Sequence, residues 1–250
     1  MKREPVSESL MVGLLLALAG GMLDAYSFIN RGEVFATAET GNIVRLSIYL
    51  SMGEWREAFH YLLPILAFAL GVIAAEALRR RSECRAGRPD RRPGRLRWQW
   101  QQPLLLAECG VLVAVSLLPL GPLDPLANIL IAFSSAVQVD SFRKFRGCTG
   151  STTMCTGNLR SGTELLFRFL VLPDPQAGEK ASVYYRLILA FILGAVLCGR
   201  LSLLLGGRTA AVVCVPLLLA FALMFRRENR PDPAGSQPEI GGPAEAPQKF

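Results

Sequence analysis

The chain has 250 residues, of which 51% are hydrophobic and only 19% charged, with a positive mean hydropathy of +0.34. A soluble domain carries about a quarter of its residues as charges, so this deficit, gathered into long apolar runs, excludes an ordinary water-soluble fold and makes lipid the expected solvent. The formal charge is +7, but its placement argues against nucleic acid: nine arginines (79, 80, 81, 85, 88, 91, 92, 95 and 97) stand in one stretch with Glu83 and Asp90. A basic loop between two apolar segments, here residues 79–102, is the mark of a cytoplasmic anchor. Anionic headgroups are its secondary partner, and Trp98 and Trp100 are expected to anchor the next helix at the interface.

In chain order, Lys2 and Arg3 precede an apolar run ending in Ala17-Leu18-Ala19, which superficially resembles a cleaved signal. The run continues past Gly20-Gly21 to Ile29, so a retained first helix is expected. Six apolar segments follow from the pattern: 9–30, 57–78, 103–119, 123–142, 181–205 and 209–225, each near the ~20 residues that cross the hydrocarbon as a helix. Two less apolar segments, 34–52 and 148–172, hold Thr40-Gly41-Asn42 and Thr156-Gly157-Asn158. From Arg226 the chain is rich in Pro, Gly and charge, and a disordered tail over 226–250 is expected. The expected fold class is therefore all-α: a polytopic membrane bundle forming one domain over 1–225.

The two Thr-Gly-Asn tripeptides belong to a longer repeat. Asp24 precedes the first by sixteen positions and Asp140 precedes the second by the same sixteen, with Thr37 matching Thr153. Further on, Ala67-Phe68-Ala69-Leu70-Gly71 resembles Ala190-Phe191-Ile192-Leu193-Gly194, with 173–180 as the loop that absorbs the length difference. The units are 9–119 and 123–225. If both motif segments crossed, the basic loop and the basic termini would fall on opposite sides. If they enter and return, six helices cross and Lys2, Arg3, the arginine loop, Arg143-Lys144-Arg146 and Arg226-Arg227 share the cytoplasmic side. Each unit then has an odd number of crossings, which makes the two units inverted.

Irregular backbone at membrane depth survives only when buried in protein or lining a wet cavity. In a Thr-Gly-Asn break, Gly permits the turn, Thr caps the helix that follows, and Asn supplies a donor and an acceptor. Two such breaks point two positive helix ends inward. The pattern allows two readings: a solute site in which Thr40, Asn42, Thr156 and Asn158 make the contacts, or helix packing glued by Asn. Asp24 and Asp140 are expected to pair with Arg45 and Arg160; these four with Glu39 would set charge preference or couple an ion, or else the aspartates cap or orient the motif segments through hydrogen bonds or an ion pair. Glu39 and Cys155 occupy the same slot, so the units differ chemically there. Gln138 is a further polar group at depth; Glu108, Glu164, Arg168 and Arg200 read as interhelical or interfacial, and Glu76 and Arg79 as interfacial.

The six cysteines (84, 109, 148, 155, 198 and 214) show no Cys-x-x-Cys spacing and read as packing residues. His60 is the only histidine, so neither a His-based metal site nor a Ser-His-Asp site is expected, and no catalytic constellation or cofactor motif stands out. Expected partners are the bilayer, a small solute or ion and a second copy of the chain; nucleic acid is not expected.

The residues Gly20-Gly21-Met22-Leu23-Asp24-Ala25, Val34-Phe35-Ala36 and Thr40-Gly41-Asn42, with Phe133, Gln138 and Thr156-Gly157-Asn158, resemble the YoaK-like family of bacterial membrane proteins, a family with a domain of unknown function. The resemblance covers roughly 9–225 and implies a multi-pass protein of the bacterial inner membrane. The chain departs from the pattern at Glu39 and over Asp140-Ser141-Phe142-Arg143-Lys144. A small-solute or ion transporter or channel is the leading expectation; a non-transporting assembly or partner-binding protein using the arginine loop is the alternative.

Overall fold

The computed structural model describes residues 6–86, 99–172 and 174–228. These are helical apart from short connections and one two-residue hairpin. The order is η1 (Val6–Glu8), α1 (Leu10–Asn30), α2 (Glu39–Met52), α3 (Trp55–Ala86), α4 (Gln102–Leu117), α5 (Asp124–Ser141), β1 (Lys144–Phe145), β2 (Cys148–Thr149), α6 (Cys155–Val171), α7 (Pro175–Leu205), η2 (Gly206–Arg208), α8 (Thr209–Val212) and α9 (Cys214–Glu228).

Local signals set many of these boundaries. Ser9 caps α1, its side chain accepting from the Val12 N–H at 3.4 Å. Pro103, Pro125 and Pro175 sit in the first turns of α4, α5 and α7, where a missing N–H costs nothing. Asp174 caps α7 by accepting from the N–H groups of Gln176 and Ala177. Gly53 ends α2 at φ 75°, a conformation that a side chain would oppose.

Among the described residues, three stretches are long and apolar enough to cross a membrane: Leu10–Asn30, Trp55–Cys84, and Pro175–Phe225, the last running through α7 to α9; Gln102–Leu117 is a shorter apolar helix. The six expected segments all appear as helices, but α3 continues through Arg79–Arg81 and Arg85, so the basic stretch begins as helix rather than loop. The rest of that stretch, 87–98, lies outside the described residues, as do Lys2 and Arg3. Helix α9 runs on to Glu228, past the expected start of the tail, and 229–250 lie outside the described residues.

Helix α1 packs along α7, and α3 along α5; α2 lies against α3 and α6 against α7; α4 meets α5 and α9, and α9 meets α1. The first two contacts are backbone-close. A Cβ at Gly21 would collide with the Phe191 carbonyl and one at Gly194 with the Leu18 carbonyl, while one at Gly71 would meet the Phe133 carbonyl. Gly71 and Gly194 are the final residues of the two matching Ala-Phe-x-Leu-Gly runs. At both, one helix touches the backbone of another, and only a residue without a side chain fits there. The core runs along α1, with Leu16, Leu23, Tyr26, Leu112, Ile131 and Leu187 fully enclosed.

The bundle has two ends. At one, the Arg146 N–H donates to the Glu8 carbonyl at 2.9 Å and the Tyr184 hydroxyl to the Thr149 carbonyl at 2.8 Å. At the other sits Arg31, fully buried. Its guanidinium donates to the carbonyls of Val115, Leu118 and Pro119, to the Asp124 carboxylate at 3.0 Å and to the Tyr26 hydroxyl at 2.9 Å, and Tyr26 donates in turn to the Gly207 carbonyl. One side chain thus caps the end of α4, pairs with the start of α5 and fixes the end of α1.

Candidate functional site

After α1 the chain does not continue outward. Residues 34–38 run back along α1: the Thr37 N–H donates to the Asp24 carboxylate at 2.9 Å, and the Ala36 N–H to the Ser27 hydroxyl at 3.2 Å. Asp24 lies seven residues before Arg31, or about 10 Å back along the helix at 1.5 Å per residue. Helix α2 starts there and climbs again. Arg45, one and a half turns on, meets Glu33 at 3.2 Å and the Tyr61 hydroxyl at 2.9 Å, and Tyr49 stacks on Tyr61 at 5.6 Å. His60 stands beside Gly32 and edge-on to Tyr61.

The second motif segment does the same from the opposite end. After the β1–β2 hairpin, Thr152 and Thr153 press against Gly20 in the middle of α1. Helix α6 then returns, with Gly162 against Tyr184, Thr163 hydrogen-bonded to Tyr185 at 3.0 Å, and Phe169 against Gly178 near the start of α7. Thr37, two residues before α2, donates to the Asp24 carboxylate, and Thr153, two residues before α6, presses on Gly20, one turn earlier on the same helix. Both motif helices therefore begin near the Gly20–Asp24 turn of α1.

The motif asparagines do identical work. The Asn42 side chain accepts from the Phe35 N–H at 3.2 Å and donates to the Phe35 carbonyl at 2.8 Å. The Asn158 side chain accepts from the Ser151 N–H at 3.1 Å and donates to the Ser151 carbonyl at 2.6 Å. Each amide pins both polar groups of the residue seven positions earlier, as a neighbouring strand would, and both side chains are buried. Asn42 also donates to Glu39 at 2.8 Å. Glu39 lies outside the three long apolar stretches; burial pushes its carboxyl up to about 7, the hydrogen bond from Asn42 opposes the rise, and the Asp24 charge adds to it.

The threonines do not cap. Ala38 and Met154 hold the N-cap positions without a side-chain hydrogen bond, and Thr40 and Thr156 are exposed one residue into their helices. The expected ion pairs also differ. Arg45 pairs with Glu33 rather than Asp24, Asp140 pairs with Arg143 rather than Arg160, and Arg160 is exposed. Glu164 and Arg168 pair within α6 and Glu76 with Arg79 within α3. Cys109, Cys148, Cys198 and Cys214 are buried as expected of packing residues, whereas Cys84 is exposed.

A cavity of about 350 Å³ lies beside the second motif. Asp140, Arg143, Thr149, Ser151, Asn158 and Ser161 supply its polar lining, and Phe68, Val72, Ala136, Val139 and Met154 its apolar wall. Three polar groups near the end of α5 lack partners: both amide atoms of Gln138, one Asp140 oxygen and the Ser141 hydroxyl are buried without a hydrogen bond. Such groups require ordered water or a ligand. Among the described residues, no cluster of three or more His, Cys, Asp and Glu could hold a metal ion.

Sequence reasoning missed Arg31 and Asn128, whose side chain donates to the Arg31 carbonyl at 2.8 Å. A lone arginine at the predicted end of an apolar helix was the available signal. No curated protein and no solved structure matches the chain. A family model described as Protein of unknown function (DUF1275) matches residues 12–224, the same family that the sequence resembles, and the chain belongs to it.

Proposed function

We propose that this chain is a multi-pass protein of the bacterial inner membrane that passes a small solute or ion through a site between its two Thr-Gly-Asn segments. The observation that carries the reading is the convergence of the starts of α2 and α6, entering from opposite ends, on the Gly20–Asp24 turn of α1. Supporting it are the cavity beside Asn158 and the unpartnered polar atoms of Gln138 and Asp140. In this reading α1, α3, α4, α5, α7 and α8–α9 cross, while α2 and α6 return to the side they left. The exchanged pairing of α1 with α7 and α5 with α3 fits two inverted units. With the basic clusters inside, both termini are cytoplasmic.

The asparagines act here as clamps that shape the segments, and Asp24, Glu39, Asp140 and the cavity wall provide the chemistry. Thr40 and Thr156 would contact a solute only at the outer rim of such a site, and Arg45 and Arg160 would act at its mouths. The test is flux into proteoliposomes across a panel of small neutral solutes and monovalent ions. At least one solute crosses with the native protein and is slowed tenfold or more by Asp24→Asn. Flux indistinguishable from empty liposomes across the panel would contradict the proposal.

A second reading has its own observation. Helix α3 has 32 residues, about 48 Å, against a hydrocarbon core of about 30 Å. Its arginine-bearing end projects from the membrane as a surface for a partner or for headgroups. Loss of function on replacing those arginines, with Asp24→Asn tolerated, would favour this assembly role.

A further inference from the structure

Glu108 stands in the middle of α4, away from the motif segments. It is 3% exposed, and neither carboxyl oxygen has a hydrogen-bond partner. On its own helix it is flanked by fully enclosed Leu105 and Leu112. Beside it, the adjacent residue Cys109 meets Cys214, the first residue of α9. The α4–α9 contact is bridged by two thiols: the Cys109 thiol faces the Cys214 carbonyl at 4.0 Å, and the Cys214 thiol faces the Cys109 carbonyl at 3.5 Å. Thiols are weak donors, so these bridges hold the helices lightly. Among the described side chains on the elements packed against α4, Asp124 of α5 is held by Arg31, Asp140 by Arg143 at the far end of α5, and Arg208 of η2 is exposed. None of them compensates a charge on Glu108.

We propose that Glu108 is a proton-binding site that locks α4 against α9. An ionised carboxylate without a partner is too costly in this apolar contact, so the closed contact holds the neutral acid. When the acid gives its proton to water, the carboxylate must be hydrated, and hydration requires α4 and α9 to part. The ligand is the proton and the response is opening of one helix contact. The proposal does not depend on the solute reading, since Glu108 lies apart from the cavity and from Asp24.

The chain carries its own reporters. The full-length protein in proteoliposomes is treated with membrane-permeant N-ethylmaleimide over a pH series, and labelling is resolved by peptide mass. Exposed Cys84 corrects for intrinsic thiol reactivity, and buried Cys198 reports general unfolding. Relative to Cys84, labelling of Cys109 and Cys214 rises at least fivefold with pH in the native protein while Cys198 stays protected. The rise disappears in Glu108→Gln and in the apolar variant Glu108→Leu, which supports folding without a buried acid. A pH-independent ratio in the native protein, or an unchanged rise in either variant, overturns the proposal. So does a rise that Cys198 shares.

Discussion

The two Thr-Gly-Asn segments share a clamp and differ in almost everything around it. Asn42 and Asn158 each pin the backbone seven residues earlier in the same way. Before the first segment, Arg31 ties the turn to α4 and α5; eleven positions before Asn158, where Arg31 stands relative to Asn42, the second unit has Gly147. Asp24 reaches inward to hold Thr37, whereas Asp140 faces Arg143 beside an open cavity. What the units share builds the turn, and what they do not share is where distinct chemistry can reside.

The largest effect expected of breaking this comparison comes from Arg31→Ala. It strands Asp124 and frees three carbonyls, and removal of one partner of a buried pair costs about 3–5 kcal/mol. Thermal unfolding in detergent should show it as the most destabilised of the variants named here. Asn42→Ala should follow, at about 2–3 kcal/mol, because a buried pair of backbone groups and Glu39 all lose a partner. Asn158→Ala should cost less, about 1–2 kcal/mol, since its amide serves Ser151 alone. Equal costs for the two asparagines would erase the distinction. Glu39 sharpens the contrast with Cys155 through pH. Its folded carboxyl lies near 7, above the ordinary 4.5. The folded state therefore holds the proton more tightly, and stability falls as pH rises between those values. A melting series should show this decline, reduced in Glu39→Gln. The smallest effect belongs to Arg160→Ala, an exposed side chain whose loss should shift stability by less than about 0.5 kcal/mol.

Much of this architecture was legible in the chain. The apolar runs mark the helices, and the sixteen-residue spacing from aspartate to Thr-Gly-Asn marks the two segments that Asn42 and Asn158 clamp. The Ala-Phe-x-Leu-Gly match even locates the close helix crossings at Gly71 and Gly194. Pairings were not legible: Glu164 and Arg168, expected between helices or at an interface, pair with each other within α6. Arg45 finds Glu33 and Tyr61 because α2 climbs back beside the turn it came from, and that geometry is absent from a linear reading. Arg31 is met mostly by carbonyls of a distant helix end, which every residue carries, so no residue type advertises the contact. Glu108 was visible as a charge in an apolar run, but its isolation follows only from how α9 covers it.

The central claim is that the motif segments return to the side they left. For α6 it is tested most directly by single cysteines placed at Lys144, Gln176 and Gly207 in a Cys84→Ser background and labelled with a membrane-impermeant maleimide in oriented proteoliposomes. Returning segments put Lys144→Cys and Gln176→Cys on one side and Gly207→Cys on the other. Labelling of Lys144→Cys and Gln176→Cys from opposite sides would mean that α6 crosses, and would contradict the account.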